Sequence, residues 1–251
     1  MNFYKFKKNA DDETLEQVDQ MVCSDGVYFS APDTFNDVFD LKPVFDLELK
    51  NESQIEAYRR YKCVSGTNIP SNDPRLEFLR EKIRTDGTFK LPGLGEFDDD
   101  TRKIGVSCLT QKIHSPTMWG HYSGNGKGFA LEYDIQENRK GITIHEVIYS
   151  PMRPIIDTEI LFMSKVDQQG LNKLYEKCCL TKYVDWGFEK EWRLINPLAN
   201  SVLVKNLYPI TKIIVGPKMD DREIEMIKSR FSGKVDIAYA KLSEFEYEIV
   251  F

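Results

Sequence analysis

The sequence is poor in the residues that hold metals and covalent frameworks. Its 251 residues include three histidines, His114, His121 and His145. No two of them stand four apart, and HExxH and HxH are missing, which speaks against a catalytic metal held by imidazoles. The five cysteines, Cys23, Cys63, Cys108, Cys178 and Cys179, are odd in number and form no CxxC. Neither a disulfide framework nor a zinc site is expected, and a reducing, cytoplasmic compartment is. No apolar run comes near the roughly 18–20 residues of a membrane helix, so no membrane partner is expected. Met1 to Glu13 carries lysines without an apolar stretch, so no signal peptide is expected either. GxxxxGK[ST], a GxGxxG after a strand, and GxSxG are all missing, which leaves P-loop, dinucleotide-fold and α/β-hydrolase readings without support. An excess of positive charge is lacking too. The 34 Lys and Arg stand against 40 Asp and Glu, a net charge of −6. That argues against general binding to a phosphate backbone and leaves a local basic cleft open.

What is present is a globular composition, 41% apolar and 12% aromatic, with enough chain to bury about 70–75% of its unfolded surface. Apolar periodicity and caps predict helices over 11–22 (stopped by Gly26), 52–62, 74–85, 116–122, 157–164, 168–182 and 220–231. Strands are expected over 3–6, 27–30, 103–110, 128–134, 142–149, 191–196, 210–215, 234–239 and 247–251. Strands and helices without strict alternation indicate an α+β fold with mixed or antiparallel sheets and flanking helices. The expected organisation is a single domain over 1–251 with a helical and loop insertion at about 41–102, whose Asp98–Asp100 reads as a solvated acidic tip.

Three clusters carry chemistry. The first is Trp186-Gly-Phe-Glu189-Lys-Glu191-Trp-Arg193-Leu. Read as a strand, it puts Glu189, Glu191 and Arg193 on one face, the two carboxylates roughly 6.5–7 Å apart. Such a pair can bind a sugar hydroxyl and stabilise an oxocarbenium-like centre, or simply form a solvated charged face. The second is Met118-Trp119-Gly-His121-Tyr122 with the Gly124, Gly126 and Gly128 turn. Aromatic planes, imidazole and loop amides could hold a nucleotide, or the rings could be core anchors beside an ordinary turn. The third is Phe35-Asn36-Asp37-Val38-Phe39-Asp40, which reads either as an Asx-rich turn or as part of a site.

These clusters, with Tyr4-Lys5-Phe6, Cys108-Leu109-Thr110 and Lys182 four residues before Trp186, resemble a widespread bacterial and phage-associated domain-of-unknown-function family, number 2971. Val38 stands where that family usually has Pro, and Leu109-Thr110 where it has Phe-Ser. More distantly, an aromatic first strand, a Ser/Thr strand and a late Glu-x-Glu strand resemble ADP-ribosyltransferases. That resemblance implies a split sheet around an NAD-binding cleft, with Glu191 as the catalytic glutamate and Glu189 on the acceptor side. It further implies cofactor contacts from Tyr4, Lys5, Asn36, Ser107, Thr110, Trp119, His121, Tyr122 and Arg193, and no metal. Tyr4 departs from the His or Arg usual at its position.

The expected function is therefore an NAD-dependent ADP-ribosyltransferase-like toxin or anti-phage effector, modifying nucleic acid or protein and partnered by an antitoxin or another operon product. Two alternatives stand beside it. One is a non-enzymatic nucleotide- or partner-binding module of a defence or toxin–antitoxin system. The other is a hydrolase of nucleotides or nucleic acid in which Asp37, Asp40, Glu189 and Glu191 collect Mg²⁺.

Overall fold

The structure is a computed structural model that describes residues 1–91, 104–136, 139–197 and 199–251. In chain order the elements are β1 (Asn2–Lys7), α1 (Asp12–Cys23), β2 (Val27–Phe29), β3 (Val44–Asp46), β4 (Glu48–Leu49), α2 (Glu52–Val64), α3 (Pro74–Asp86) and β5 (Phe89–Lys90). Then come β6 (Gly105–Thr110), α4 (Pro116–Tyr122), β7 (Phe129–Asp134), β8 (Ile144–Glu146), β9 (Ile148–Ser150), β10 (Ile155–Asp157), α5 (Thr158–Met163) and α6 (Gln168–Cys179). Last are β11 (Thr181–Tyr183), β12 (Glu191–Asn196), β13 (Val202–Val204), β14 (Ile210–Val215), α7 (Asp221–Phe231), β15 (Asp236–Tyr239), β16 (Lys241–Leu242) and β17 (Ile249–Val250). The fold is α+β. The chain forms two compact units, one from Met1–Thr34, Lys103–Val147 and Trp186–Phe251, the other from Phe35–Arg102 and Ile148–Asp185. The stretch expected as an insertion thus shares its unit with residues 148–185.

The first unit is built on a seven-stranded sheet of order β15-β14-β7-β1-β6-β12-β8. All neighbours are antiparallel except β14 and β15. One face buries Phe3, Leu109, Leu131, Leu194 and Ile213 against α1 and α7 residues such as Leu15, Val18 and Ile227. Period-two alternation in the strands and an apolar stripe on each helix create that layer. Asp11 caps α1 by accepting the Thr14 N–H at 2.8 Å, and Asp220 caps α7 by accepting from Glu223 at 2.9 Å. On the other face Trp119 of α4 meets Phe6 edge-on at 5.0 Å, beside Ala130 and Ile214. The second unit has its own core of Leu49, Ile55, Leu76, Leu79 and Phe162 from β4, α2, α3 and α5. Three two-stranded sheets, β3/β10, β9/β11 and β4/β5, complete it. Cys178 and Cys179 are buried at the end of α6, and burial pushes the Cys178 thiol up to about 12, as suits packing residues.

Four expectations need correction. The stop after α1 is made by Asp25, whose φ of 46° is left-handed, while Gly26 bonds Met21 O behind it. The strand expected over 142–149 is two. Val147 donates to Glu191 O at 3.0 Å and Ile148 to Leu180 O at 2.6 Å, so adjacent amides serve different sheets. The helix expected to reach Lys182 ends at Cys179, and Thr181–Tyr183 pairs in parallel with β9. The strand spans Glu191–Asn196 as expected, but the cluster read as a strand back to Glu189 is not one, because Val184–Glu189 wind as a 3₁₀ turn and Lys190 takes a φ of 45°. Lys103 of one expected strand and the Asp98–Asp100 tip lie outside the described residues.

Candidate functional site

Sheet register creates one row of polar side chains in the first unit. Glu191 pairs with Thr110, Thr110 with Tyr4, Tyr4 with Glu132, and Glu132 with Lys212. Directly paired residues project from the same face, so five strands present one polar line about 19 Å long. The pair Tyr4↔Thr110 is the single registered pair between β1 and β6, whereas β1 and β7 share six.

The row divides into two groups. In one, Glu132 accepts from Tyr4 Oη at 3.1 Å and Thr211 Oγ1 at 2.8 Å, with Lys212 Nζ at 3.8 Å. Desolvation, followed by the neighbouring Glu132 charge, pushes the Tyr4 phenol up to about 12. The Tyr4 hydroxyl therefore turns toward β7, on the far side from Glu191. In the other group, Arg193 forks onto Glu191, Nε to Oε1 at 2.7 Å and Nη2 to Oε2 at 3.2 Å. Thr110 Oγ1 donates to the Glu189 carbonyl at 2.6 Å, and Tyr122 Oη donates to the Glu189 carboxylate. Glu189, Glu191 and Arg193 are 3%, 4% and 0% exposed, so this is a buried network that fixes both carboxylates. The strand spacing proposed for the two glutamates is replaced by this turn-and-strand arrangement.

Lys5 Nζ donates to Ser107 Oγ at 3.0 Å beside this network. Burial lowers its pKa, and the Cys108 and Glu191 charges counter part of that shift. Trp119 is in the core and donates Nε1–H to Ile113 O at 2.6 Å. His121 and Phe188 are exposed, with ring centroids 5.6 Å apart, beside half-buried Tyr122 and Trp186. They form an aromatic rim on the network. The glycine turn is closed by its own hydrogen bonds, as the reading of an ordinary turn expects. Asn125 N–H bonds Gly120 O, Gly126 N–H bonds Ser123 Oγ, Lys127 N–H bonds Gly124 O, and Gly128 N–H bonds Ser123 O. These four amides already have partners within the turn.

Asn36, Asp37 and Asp40 belong to the second unit. Asp40 and Lys182 form a buried pair there at 3.9 Å. Among the described residues, no three His, Cys, Asp or Glu side chains are grouped to hold a metal ion. The sequence reading missed Glu132, Thr211 and Lys212. Glu132, a carboxylate inside the otherwise apolar Phe129-Ala-Leu-Glu-Tyr run, was the available signal.

No described helix is long and apolar enough to cross a membrane. Comparisons with curated proteins and with solved structures find no match to this chain. One comparison does find a relationship. Residues 118–194, from Met118 on α4 to Leu194 on β12, match the family described as Protein of unknown function (DUF2971), and over this stretch the chain carries that family's pattern.

Proposed function

We propose that the first unit transfers ADP-ribose from NAD to a nucleic-acid or protein acceptor, in the manner of a toxin or anti-phage effector restrained by a cognate antitoxin. The observation that supports this reading is the row on adjacent strands β1, β6 and β12, in which Tyr4, Thr110 and Glu191 stand in register. The carboxylates and hydroxyls suit a ribose, and four amides of the glycine turn are already bonded within it. NAD would supply the activated glycosyl bond. Arg193 orients the Glu191 carboxylate, and Glu191 stabilises positive charge on the sugar through a preorganised, water-poor setting. Tyr122 and Thr110 hold Glu189 on the acceptor side.

The test is incubation of the protein with NAD labelled in its adenylate, together with cell lysate or RNA. Label transfer and nicotinamide release are expected, both falling at least about 100-fold in Glu191→Gln if this carboxylate acts mainly in the transition state. Absence of label and of nicotinamide release overturns the reading.

A second reading is favoured by one specific feature, the burial of Glu191 beneath its fork to Arg193. A network closed in that way suits a non-enzymatic nucleotide- or partner-binding module. It predicts binding of NAD or another nucleotide without turnover, with Glu191→Gln changing affinity and stability only.

A further inference from the structure

The second unit has a pocket of about 280 Å³ that takes no part in the glutamate network. Two segments singled out separately in the sequence meet at it. Phe39 comes from the Phe35–Asp40 segment, and Lys182 and Tyr183 come from β11. Met152, Arg153 and Pro154 complete the wall. Phe39, Met152 and Tyr183 are 60%, 74% and 48% exposed, although each is large and apolar or aromatic. Side chains of that kind gathered at a concavity mark a binding site.

The cations define the ligand. Lys182 lies at the wall with its side chain 5% exposed and is neutralised by Asp40. Arg153 is different. Its guanidinium stands 5.6 Å from the Phe39 ring centroid and donates to Lys42 O at 3.0 and 2.8 Å and to Pro43 O at 3.3 Å. Among the described residues no carboxylate pairs with it. The pocket therefore carries a net positive charge beside an exposed aromatic face. Its wall is preformed, because Ser150 Oγ both accepts the Met152 N–H at 3.0 Å and donates to Met152 O at 2.9 Å.

We propose that this pocket binds a free mononucleotide, with the base against Phe39 and the phosphate at Arg153. An aromatic ring offers a sequence-tolerant platform to any base, and Arg153, whose Nε and Nη2 are held by the Lys42 and Pro43 carbonyls, presents its Nη1 and its positive charge to a phosphate. The volume suits one nucleotide, and the chain's net charge of −6 disfavours a polyanionic strand. This assignment is independent of the reaction proposed for the first unit.

Calorimetric titration with AMP, adenosine, inorganic phosphate and a single-stranded oligonucleotide tests it on the full chain. AMP should bind with a Kd below about 1 mM, and more tightly than adenosine or phosphate. Phe39→Ala, at an exposed position, should weaken AMP by about tenfold or more. Arg153→Met should erase the preference for AMP over adenosine, with an unchanged circular dichroism spectrum. Undetectable AMP binding, phosphate binding as tightly as AMP, or an unchanged Phe39→Ala affinity overturns the proposal. An oligonucleotide that binds more tightly than AMP overturns the assignment to a free nucleotide. Neither result depends on whether the Glu191→Gln protein transfers ADP-ribose.

Discussion

Arg193 and Glu191 are held by each other more than by solvent. A buried fork of this kind contributes little net stability as a pair, because both ions lose their hydration, yet removing one partner strands the other. Arg193→Met should therefore destabilise the chain by about 3–5 kcal/mol in urea unfolding, and adding Glu191→Leu should recover much of that loss. A double variant as unstable as Arg193→Met alone would mean that the fork is not what Arg193 contributes. The pairing was legible in the sequence, since residues two apart on a strand share a face and Glu191–Arg193 do so. The place of Glu189 was not. Its carboxylate reaches Tyr122 through the 3₁₀ turn and the left-handed Lys190, and neither has a periodic signature. The direction of Tyr4 depended on Glu132, a partner 128 residues away.

At the scale of elements, helix starts were readable because N-caps are local chemistry, whereas the ends of α1 and α6 were misplaced. Asp11, the Ser115-Pro116 pair and Asp220 each sit where the structure has an N-cap. Strands of two or three residues, such as β3, β10 and β11, were not, because each depends on a partner far along the chain. The turn after α4 shows how tightly an element can be fixed by what a residue lacks. A Cβ on Gly128 would lie 1.9 Å from Lys7 O, whereas one on Gly120 would meet nothing within 4 Å. Gly128→Ala must push β1 and β7 apart where Lys7 and Phe129 pair, and should lower stability by about 1–3 kcal/mol or more. Gly120→Ala, inside α4, should raise it by about 0.5–1 kcal/mol. Thermal melts of the two variants should move in opposite directions. A stabilising Gly128→Ala would show that the approach is not tight.

At the scale of the whole molecule, the order of strands and helices gave the α+β class and the charge count argued against general basicity, while the chain passes between its two compact units four times without a low-complexity linker to mark the crossings. Net charge also hides how unevenly the ionisable groups are placed. Lys7 is bonded to Gln17 at 2.7 Å, and burial, helped by the adjacent Lys5 charge, brings it from 10.5 to about 8. Below pH 8 the lysine is charged in both folded and unfolded chains, and the fold bears the desolvation penalty of that charge. Between about 8 and 10.5 the unfolded chain holds more protons than the folded one, so this group's contribution to stability rises with pH. Tyr4 acts oppositely at higher pH. With its phenol at about 12 when folded and 10 when unfolded, its contribution is lost as pH rises from about 10 to 12. Lys7→Met should therefore stabilise the chain at pH 7, and its advantage over the parent should shrink as pH goes from 8 to 10. Denaturant unfolding at pH 7, 8, 9 and 10 reads both curves. A gap that stays constant across this range would mean that Lys7 is solvated well enough to keep its charge in the fold, and that the inner face of β1 is wetter than its burial implies.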